Sequence, residues 1–195
     1  AMAKEVATPL VYGYIPPMWR VVNALIGFNP HAGTEREAEV AAWQLAMRKH
    51  LTFDKPVRTV LINGGNGTGK TRYTSITGLQ IALQRQSQHI WMFHETEQQS
   101  IDIHHRSTYD CFPPYLRGSK KLTQKEYISY TDQNGFAGGK VTFDNRSYIR
   151  YLNYGKQIKT LEGGGYDLVV CSELVPEEWI DTLSYRVARK KGIFI

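Results

Sequence analysis

The chain has 195 residues, 42% of them hydrophobic, and a formal net charge of +6 from 24 Lys and Arg against 18 Asp and Glu. This size and apolar content suit one compact domain, and the basic excess is compatible with a polyanionic partner without requiring one. No stretch is long enough to span a membrane and the first residues lack a signal-peptide core, so we expect no membrane association. The only cysteines, Cys111 and Cys171, are too few for a disulfide framework and predict a reduced, intracellular protein.

Hydrophobic periodicity and turn residues divide the chain into alternating helices and strands. In chain order, the predicted elements are a helix over 34–50, a strand over 57–62, a helix that opens near Lys70, a strand over 89–94, a helix over 95–109, strands over 127–131, 140–144, 147–152 and 168–171, a helix over 175–187 and a strand that starts at 193. This alternation predicts an α/β fold with a mostly parallel central sheet flanked by helices, plus a β-hairpin insertion. We expect residues 1–55 to form a helical and aromatic segment that packs on a core of residues 56–195.

The most informative motif is a glycine-rich run between the strand over 57–62 and the following helix. It fits the pattern G-x-x-x-x-G-K-S/T of a P-loop, and a preceding strand with a following helix is the context that supports this motif. The run consists of Gly64, Gly65, Asn66, Gly67, Thr68, Gly69, Lys70 and Thr71. It predicts a P-loop NTPase fold, with a nucleoside triphosphate and Mg²⁺ as ligands and phosphoryl transfer as the chemistry. The alternative is a glycine-rich hairpin that matches the pattern by accident.

Each residue type in this run suits the binding of a triphosphate. The glycines allow a tight turn that directs backbone N–H groups inward, and the start of the helix adds the positive end of its dipole. We expect Lys70 to reach the β- and γ-phosphates and Thr71 to place its hydroxyl on Mg²⁺. Arg72, the next residue, is a further candidate for contact with phosphate.

A second candidate site follows the apolar strand over 168–171. In P-loop enzymes, a buried strand that ends in two acids supplies one carboxylate for the magnesium shell and one to activate the attacking water. Here Ser172 stands at the first position and Glu173 at the second. We therefore predict Glu173 as the general base, and Ser172 as a neutral group that contacts magnesium through water. The alternative for Glu173 is an ordinary surface glutamate at a strand end.

Taken together, these sites resemble the ATPase domain of the large terminase subunit, the genome-packaging motor of tailed bacteriophages. The resemblance runs from about Thr59 to Ile195 and includes the strand leading into GGNGTGKT and the hairpin GKVTFDNRSYIRYL. A glycine segment, an acidic strand, a proline and an arginine-bearing helix follow in the family, and their counterparts here are Leu161-Glu162-Gly163, Ser172-Glu173, Pro176 and Arg186. The P-loop alone is not specific to the family, whereas the combination is moderately so.

The resemblance implies an ATPase motor that moves double-stranded DNA into a procapsid. Its implied partners are DNA contacted through backbone phosphates, the portal protein, the small terminase subunit and further copies of the chain in a ring, and its implied location is the host cytoplasm at the procapsid portal. The family's nuclease domain would follow Ile195, so we expect no DNA cleavage by this chain. Two alternatives stay open: another P-loop ATPase such as a helicase-like translocase, and a nucleotide-binding assembly module with little turnover.

Two departures from the family bear on hydrolysis. Many terminases have an arginine at the place of Gly67, and most have an aspartate at the place of Ser172. The first change puts in doubt an arginine that senses the γ-phosphate, and the second puts in doubt the affinity for metal. Either residue could be natural or introduced, and the two together predict slow turnover.

Other residues carry weaker predictions. Arg186 is our catalytic candidate for an arginine finger acting on the ATP of a neighbouring subunit, with Arg189 as a less favoured one. An adenine wall could come from Tyr12, Tyr14 or Trp19, although ordinary packing is the favoured interpretation of each. The pairs His94-Glu95 and His104-His105 do not predict zinc, because adjacent histidines lie on different helix faces and no cysteine is suitably spaced.

Overall fold

A computed structural model describes residues 15–65, 67–113, 116–117, 128–155 and 164–195. Within these ranges the chain forms a five-stranded, mostly parallel sheet flanked by helices, and a separate two-stranded antiparallel hairpin. The predicted α/β class is therefore confirmed. Among the described helices, none has the length and apolar character needed to cross a bilayer.

The elements follow one another along the chain in nearly the predicted order. They are α1 (Pro17–Ile26), α2 (Glu37–His50), α3 (Lys70–Gln84), β1 (His89–His94), α4 (Glu97–Gln99), a π-helical turn (Ser100–His105), α5 (Arg106–Asp110), β2 (Tyr130–Thr131), β3 (Gly135–Phe136), a 3₁₀ turn (Ala137–Gly139), β4 (Lys140–Thr142), β5 (Tyr148–Asn153), β6 (Leu168–Cys171), α6 (Glu177–Arg189) and β7 (Ile193–Phe194).

The large sheet has the strand order β4-β5-β1-β6-β7. Strands β5, β1, β6 and β7 run parallel, and β4 pairs antiparallel with β5 as the predicted hairpin. In the centre, Phe93 of β1 stands opposite Leu152 of β5 and Cys171 of β6. Parallel strands end at the same edge of a sheet, so the residues that follow β1 and β6 are brought side by side.

Each face of the sheet is covered by a helix, which explains why the central strands read as continuous apolar runs. Helix α3 packs on one face, where Leu79 lies against Ile90 and Leu168 in a fully buried cluster. Helix α6 packs on the other face, where Trp179 and Leu183 join a second cluster. The two helices hold the strand ends β1 and β6 in a fixed position.

The prediction of a strand over 57–62 is wrong, because these residues form no continuous strand. Only Thr59 forms a bridge, to Phe194, with the Val60 N–H donating to the Phe194 carbonyl at 2.9 Å. The N–H of Val57 donates instead to the Leu25 carbonyl at 2.8 Å. The run is only partly buried: Val57 and Val60 pack against the core, whereas the Leu61 side chain is 93% exposed.

The N-terminal segment includes a helix, α1, that the sequence pattern left unassigned. Pro17 begins it and Gly27, in a left-handed conformation, ends it, which are the favoured places for these residues. The Trp19 ring stacks on Tyr73 of α3 with centroids 4.5 Å apart, and the Tyr73 hydroxyl donates to Asn23 Oδ1 at 2.8 Å. Helix α1 is thereby fixed to the helix that follows the glycine-rich loop.

The predicted helix over 95–109 is helical in three pieces. Its middle, Ser100–His105, is a π-helical turn between the short helices α4 and α5, and the segment ends before Pro113. Beside this segment, Gly135 begins β3 and has a positive φ of 65°. That φ suits glycine, and a Cβ there would meet the His105 ring.

We predict that Leu183→Ala lowers the free energy of unfolding by about 2–5 kcal/mol, because it leaves a cavity beneath β6. Leu183 is fully buried, whereas Ile180 on the same helix is 43% exposed. The matched control Ile180→Ala should change stability by no more than about 0.5 kcal/mol. Urea unfolding followed by circular dichroism measures both, and equal losses in the two variants would contradict the packing of α6 described above.

Candidate functional site

The glycine-rich loop connects the edge segment around Thr59 to α3, which begins at Lys70. Gly67 and Gly69 have φ values of 80° and 81°, which favour glycine at both positions. The Lys70 ammonium donates to the carbonyls of Gly64 and of Gly65, the latter at 2.9 Å. The loop thus binds its own lysine, and the ammonium is free to exchange these carbonyls for a ligand with more negative charge.

A cavity of about 600 Å³ lies between this loop and the carboxyl ends of β1 and β6; we call it the loop cavity. The loop and the start of α3 line one side through Gly67, Thr68, Gly69, Lys70, Thr71 and Arg72. The strand ends contribute His94, Ser172 and Glu173, and the segment over 102–110 contributes Asp102, Ile103, Arg106, Ser107 and Asp110. Clefts of this volume are typical of small-molecule sites.

Charge in the loop cavity is of both signs. Among the described residues, three cations line it, Lys70, Arg72 and Arg106, together with three carboxylates, those of Asp102, Asp110 and Glu173. Lys70 and Arg72 lie on the loop side, and Glu173, just beyond β6, is exposed. Within residues 15–65, 67–113, 116–117, 128–155 and 164–195, no group of three or more His, Cys, Asp or Glu could hold a metal ion. The arrangement suits an anionic ligand that brings its own oxygen donors for a metal, since Mg²⁺ is usually held by one or two protein groups, phosphates and waters.

Ser172 is held at the end of β6 from two directions. Its N–H donates to the Phe93 carbonyl at 3.2 Å, continuing the parallel pairing of β6 with β1. Its Oγ lies 2.5 Å from Nε2 of His104, a ring that is 1% exposed. Burial, with smaller contributions from His94 and His105, lowers the pKa of His104 to about 3. The imidazole is therefore neutral near pH 7 and offers one donor and one acceptor.

His94 is the last residue of β1 and lines the loop cavity. Its ring meets His104 edge-on, with centroids 5.2 Å apart, and its Nδ1 accepts the Glu95 N–H at 3.0 Å. Burial lowers the pKa of His94, and the nearby Glu173 opposes this shift. A neutral His94 then carries its proton on Nε2, because Nδ1 is an acceptor.

A second cavity, of about 240 Å³, shares the loop residues 67–69 with the loop cavity; we call it the aromatic cavity. It is lined by Trp19 and Tyr73 together with Ile76 and the loop residues 67–69. Arg72 borders both cavities. The two cavities therefore adjoin at the loop and at Arg72.

The structure brings most of the predicted site residues together and leaves others apart. Lys70, Thr71, Arg72, Ser172 and Glu173 line one cavity although they come from distant parts of the chain. Arg186 does not line it: its guanidinium donates to the Gly164 carbonyl at 3.2 Å behind β6. A role of Arg186 towards a neighbouring subunit stays a prediction. Asn66, Tyr12, Tyr14 and Leu161-Glu162-Gly163 lie outside the described residues.

Sequence reasoning missed several residues of the loop cavity. His94 could have been found, because it ends a predicted strand parallel to β6 and had to lie at the same edge. Asp102 and Arg106 carried no such signal, since they lie in and just after the π-helical turn. The same holds for His104, which does not line the cavity but contacts Ser172. The expectation that His104 and His105 lie on different faces is confirmed: His104 contacts Ser172, while His105 Nδ1 accepts the Phe136 N–H at 3.0 Å.

Compared with models of protein families, with curated proteins and with solved structures, the chain gives no match. The resemblance to terminases therefore stays a prediction from the motifs.

The buried histidines predict that acid destabilises the fold. Burial lowers the pKa of His104 to about 3 and that of His105 to about 4, from 6.5 in an unfolded chain. At a pH between the folded and the unfolded pKa, the unfolded chain carries a proton on each histidine that the folded chain does not. The free energy of unfolding is therefore highest above pH 6.5 and falls as the pH is lowered towards 3–4. Each ring contributes a slope of at most about 1.4 kcal/mol per pH unit.

Urea unfolding at pH 7, 6, 5 and 4.5 measures this slope. His104→Gln and His105→Gln should each reduce the pH dependence of the free energy of unfolding by up to about 1.4 kcal/mol per pH unit, because glutamine does not titrate. Free energies of unfolding that stay constant from pH 7 to 5 in the wild-type protein would contradict the neutral, buried state of the two rings.

Proposed function

We propose that the chain is a P-loop NTPase that binds and hydrolyses ATP with Mg²⁺ in the loop cavity. The observation that carries this proposal is the meeting of two distant segments: Lys70 and Thr71 of the loop face Glu173 at the end of β6 across one cavity. A glycine-rich hairpin that matched the pattern by chance would have no reason to face a carboxylate at a parallel strand end. Ligands of open α/β sheets bind at this edge.

The loop provides the groups that a triphosphate needs. Gly67 and Gly69 turn the backbone at the start of α3, where free N–H groups and the helix dipole attract anions. Lys70 moves from the carbonyls of Gly64 and Gly65 to the phosphate oxygens, because a full negative charge binds an ammonium more strongly than a carbonyl does. Arg72 adds a second positive charge beside the loop.

The residues present fit a magnesium ion that is bound mainly by its nucleotide. The hydroxyls of Thr71 and Ser172 both line the loop cavity and are the groups that would hold the ion, directly or through water. When bound, Mg²⁺ neutralises charge on the phosphates. Because both hydroxyls are neutral, these two groups contribute less to metal affinity than an aspartate at either position would.

Glu173 is the residue suited to activate water. It is the second residue after β6, it lines the loop cavity, and His94 lies near it at the end of β1. A carboxylate in this place can accept a proton from a water molecule aligned with the terminal phosphate. The aromatic cavity offers Trp19 and Tyr73 as an apolar wall for the base of the nucleotide.

We further propose that this ATPase is the motor domain of a terminase large subunit. The support is the motif combination: the loop, the β4–β5 hairpin and the acidic strand occur in the order of that family, and the net charge of +6 suits DNA. Its partners are then double-stranded DNA, the portal protein, the small subunit and a ring of copies.

A neutral Ser172 specifically favours a second candidate function, an assembly module that binds nucleotide and turns it over slowly.

We predict slow, Mg²⁺-dependent release of phosphate from ATP, measured with a coupled phosphate assay. Glu173→Gln should lower the rate by about 100-fold or more, because it removes the general base, while it leaves nucleotide binding intact. Lys70→Ala should abolish both binding and hydrolysis. The control Lys49→Ala removes an exposed lysine at the end of α2 and should behave as the wild-type protein.

Ordinary phosphate release by Lys70→Ala would show that the site is assigned wrongly. Normal ATP binding without release, unchanged by double-stranded DNA, would instead favour the assembly module. Stimulation of the rate by DNA together with portal protein would favour the terminase motor over a free helicase-like translocase.

We predict that Trp19→Ala weakens the binding of ATP more than that of inorganic triphosphate. Trp19 lines the aromatic cavity, whereas a triphosphate without a base would contact only the loop side. Losing a stacked base costs about 1–3 kcal/mol, or about 5- to 150-fold in affinity. Competition against a fluorescent ATP analogue measures both ligands, and Trp43→Ala on α2, whose side chain is 40% exposed, is the control. Equal losses for the two ligands would contradict a base-binding role.

A further inference from the structure

His104 makes a contact that the proposed chemistry has not yet used. The ring is buried under the loop cavity, and its Nε2 lies 2.5 Å from the Ser172 Oγ. Ser172 itself faces the loop cavity. The Ser172 Oγ, a candidate group for the metal, is therefore hydrogen-bonded to a buried imidazole from a different part of the chain.

The local backbone is unusual where this contact arises. His104 belongs to the π-helical turn Ser100–His105, and such turns are rare and often occur at functional sites. The turn places His104 under the strand ends while Asp102 and Ile103 reach the loop cavity. The His94 ring packs edge-on against His104 and limits its rotation.

We infer that His104 is a positioning residue that holds the Ser172 hydroxyl towards the loop cavity, so that a histidine-backed serine takes the place of the usual aspartate. This inference rests on the proposed function. A free hydroxyl rotates about its C–O bond. When a rigid ring occupies one of its hydrogen-bonding positions, the remaining donor or lone pairs point in a fixed direction. Outer partners of this kind commonly change metal affinity or activity by 10- to 100-fold.

A purely structural histidine does not account for the arrangement well. His104 Nδ1 is buried and has no hydrogen-bond partner among the described residues. A buried polar atom without a partner is costly, so an apolar ring of similar size would suit a position that only fills space. The hydrogen bond to Ser172 is what the imidazole offers and a phenyl ring does not.

The test compares two replacements of His104. His104→Phe keeps a planar ring but loses the hydrogen bond, and His104→Gln can place an amide near the position of Nε2. Affinity for a fluorescent, non-hydrolysable ATP analogue is measured with Mg²⁺ and again with EDTA. The measurement in EDTA reports the loop, and the ratio of the two affinities reports the contribution of the metal site.

We expect Mg²⁺ to tighten binding in the wild-type protein and in His104→Gln. In His104→Phe this tightening should fall by about 10-fold, while the affinity in EDTA stays the same. Ser172→Ala should lose the same tightening, and adding His104→Phe to Ser172→Ala should cause no further loss, because both changes remove one interaction. Circular dichroism confirms folding of each variant.

Three results would overturn the inference: equal losses in Mg²⁺ and in EDTA, a further loss in the double variant, or a failure of Gln to restore what Phe loses. A wild-type protein that binds the analogue in neither condition would overturn the proposed function itself. A wild-type protein that binds in EDTA without tightening by Mg²⁺ would leave nucleotide binding in place and overturn the role of His104 and Ser172.

Discussion

The parallel pairing of β1 with β6 is the constraint on which the site depends. It sets Phe93 opposite Cys171, and the next bond in the ladder, from the Ser172 N–H to the Phe93 carbonyl, carries the pairing past the end of the strand. Parallel strands need both faces covered, so α3 and α6 are required to keep this register. Packing far from the loop cavity therefore determines where Ser172 and Glu173 lie.

Sequence patterns predicted those parts of the fold that depend on local composition. The apolar runs of β1 and β6 and the glycines around Lys70 each have a local cause, and each was found. The strand over 57–62 was wrong because strand formation needs a partner, and in this run only Thr59 forms a bridge, to Phe194, while the Val57 N–H donates to the Leu25 carbonyl. The composition of the run does not reveal which backbone groups elsewhere in the chain will bond to it.

The same distinction, between features with a local cause and features that depend on distant contacts, applies to the candidate site. The residues of the loop and of the strand end were predictable, since a motif with a fixed spacing carries them. His104 was not, because its contact with Ser172 depends on a π-helical turn whose sequence, SIDIHH, reads as ordinary helix. Residues that act through tertiary contact have no spacing rule, so a pattern search finds the loop and misses the ring behind it.

The neutral side chain of Ser172 affects both the energetics of the buried His104 and the affinity of the site for metal. An aspartate at this place would bring a charge next to the buried His104, and its desolvation would have to be offset by a hydrogen bond from the ring or by a nearby cation. A serine avoids this cost and leaves the imidazole neutral, in agreement with the burial that lowers the pKa of His104 to about 3. The serine therefore suits a buried, neutral ring without any compensating charge. A weaker hold on metal follows from the same choice, because a hydroxyl oxygen attracts a divalent cation less than a carboxylate does.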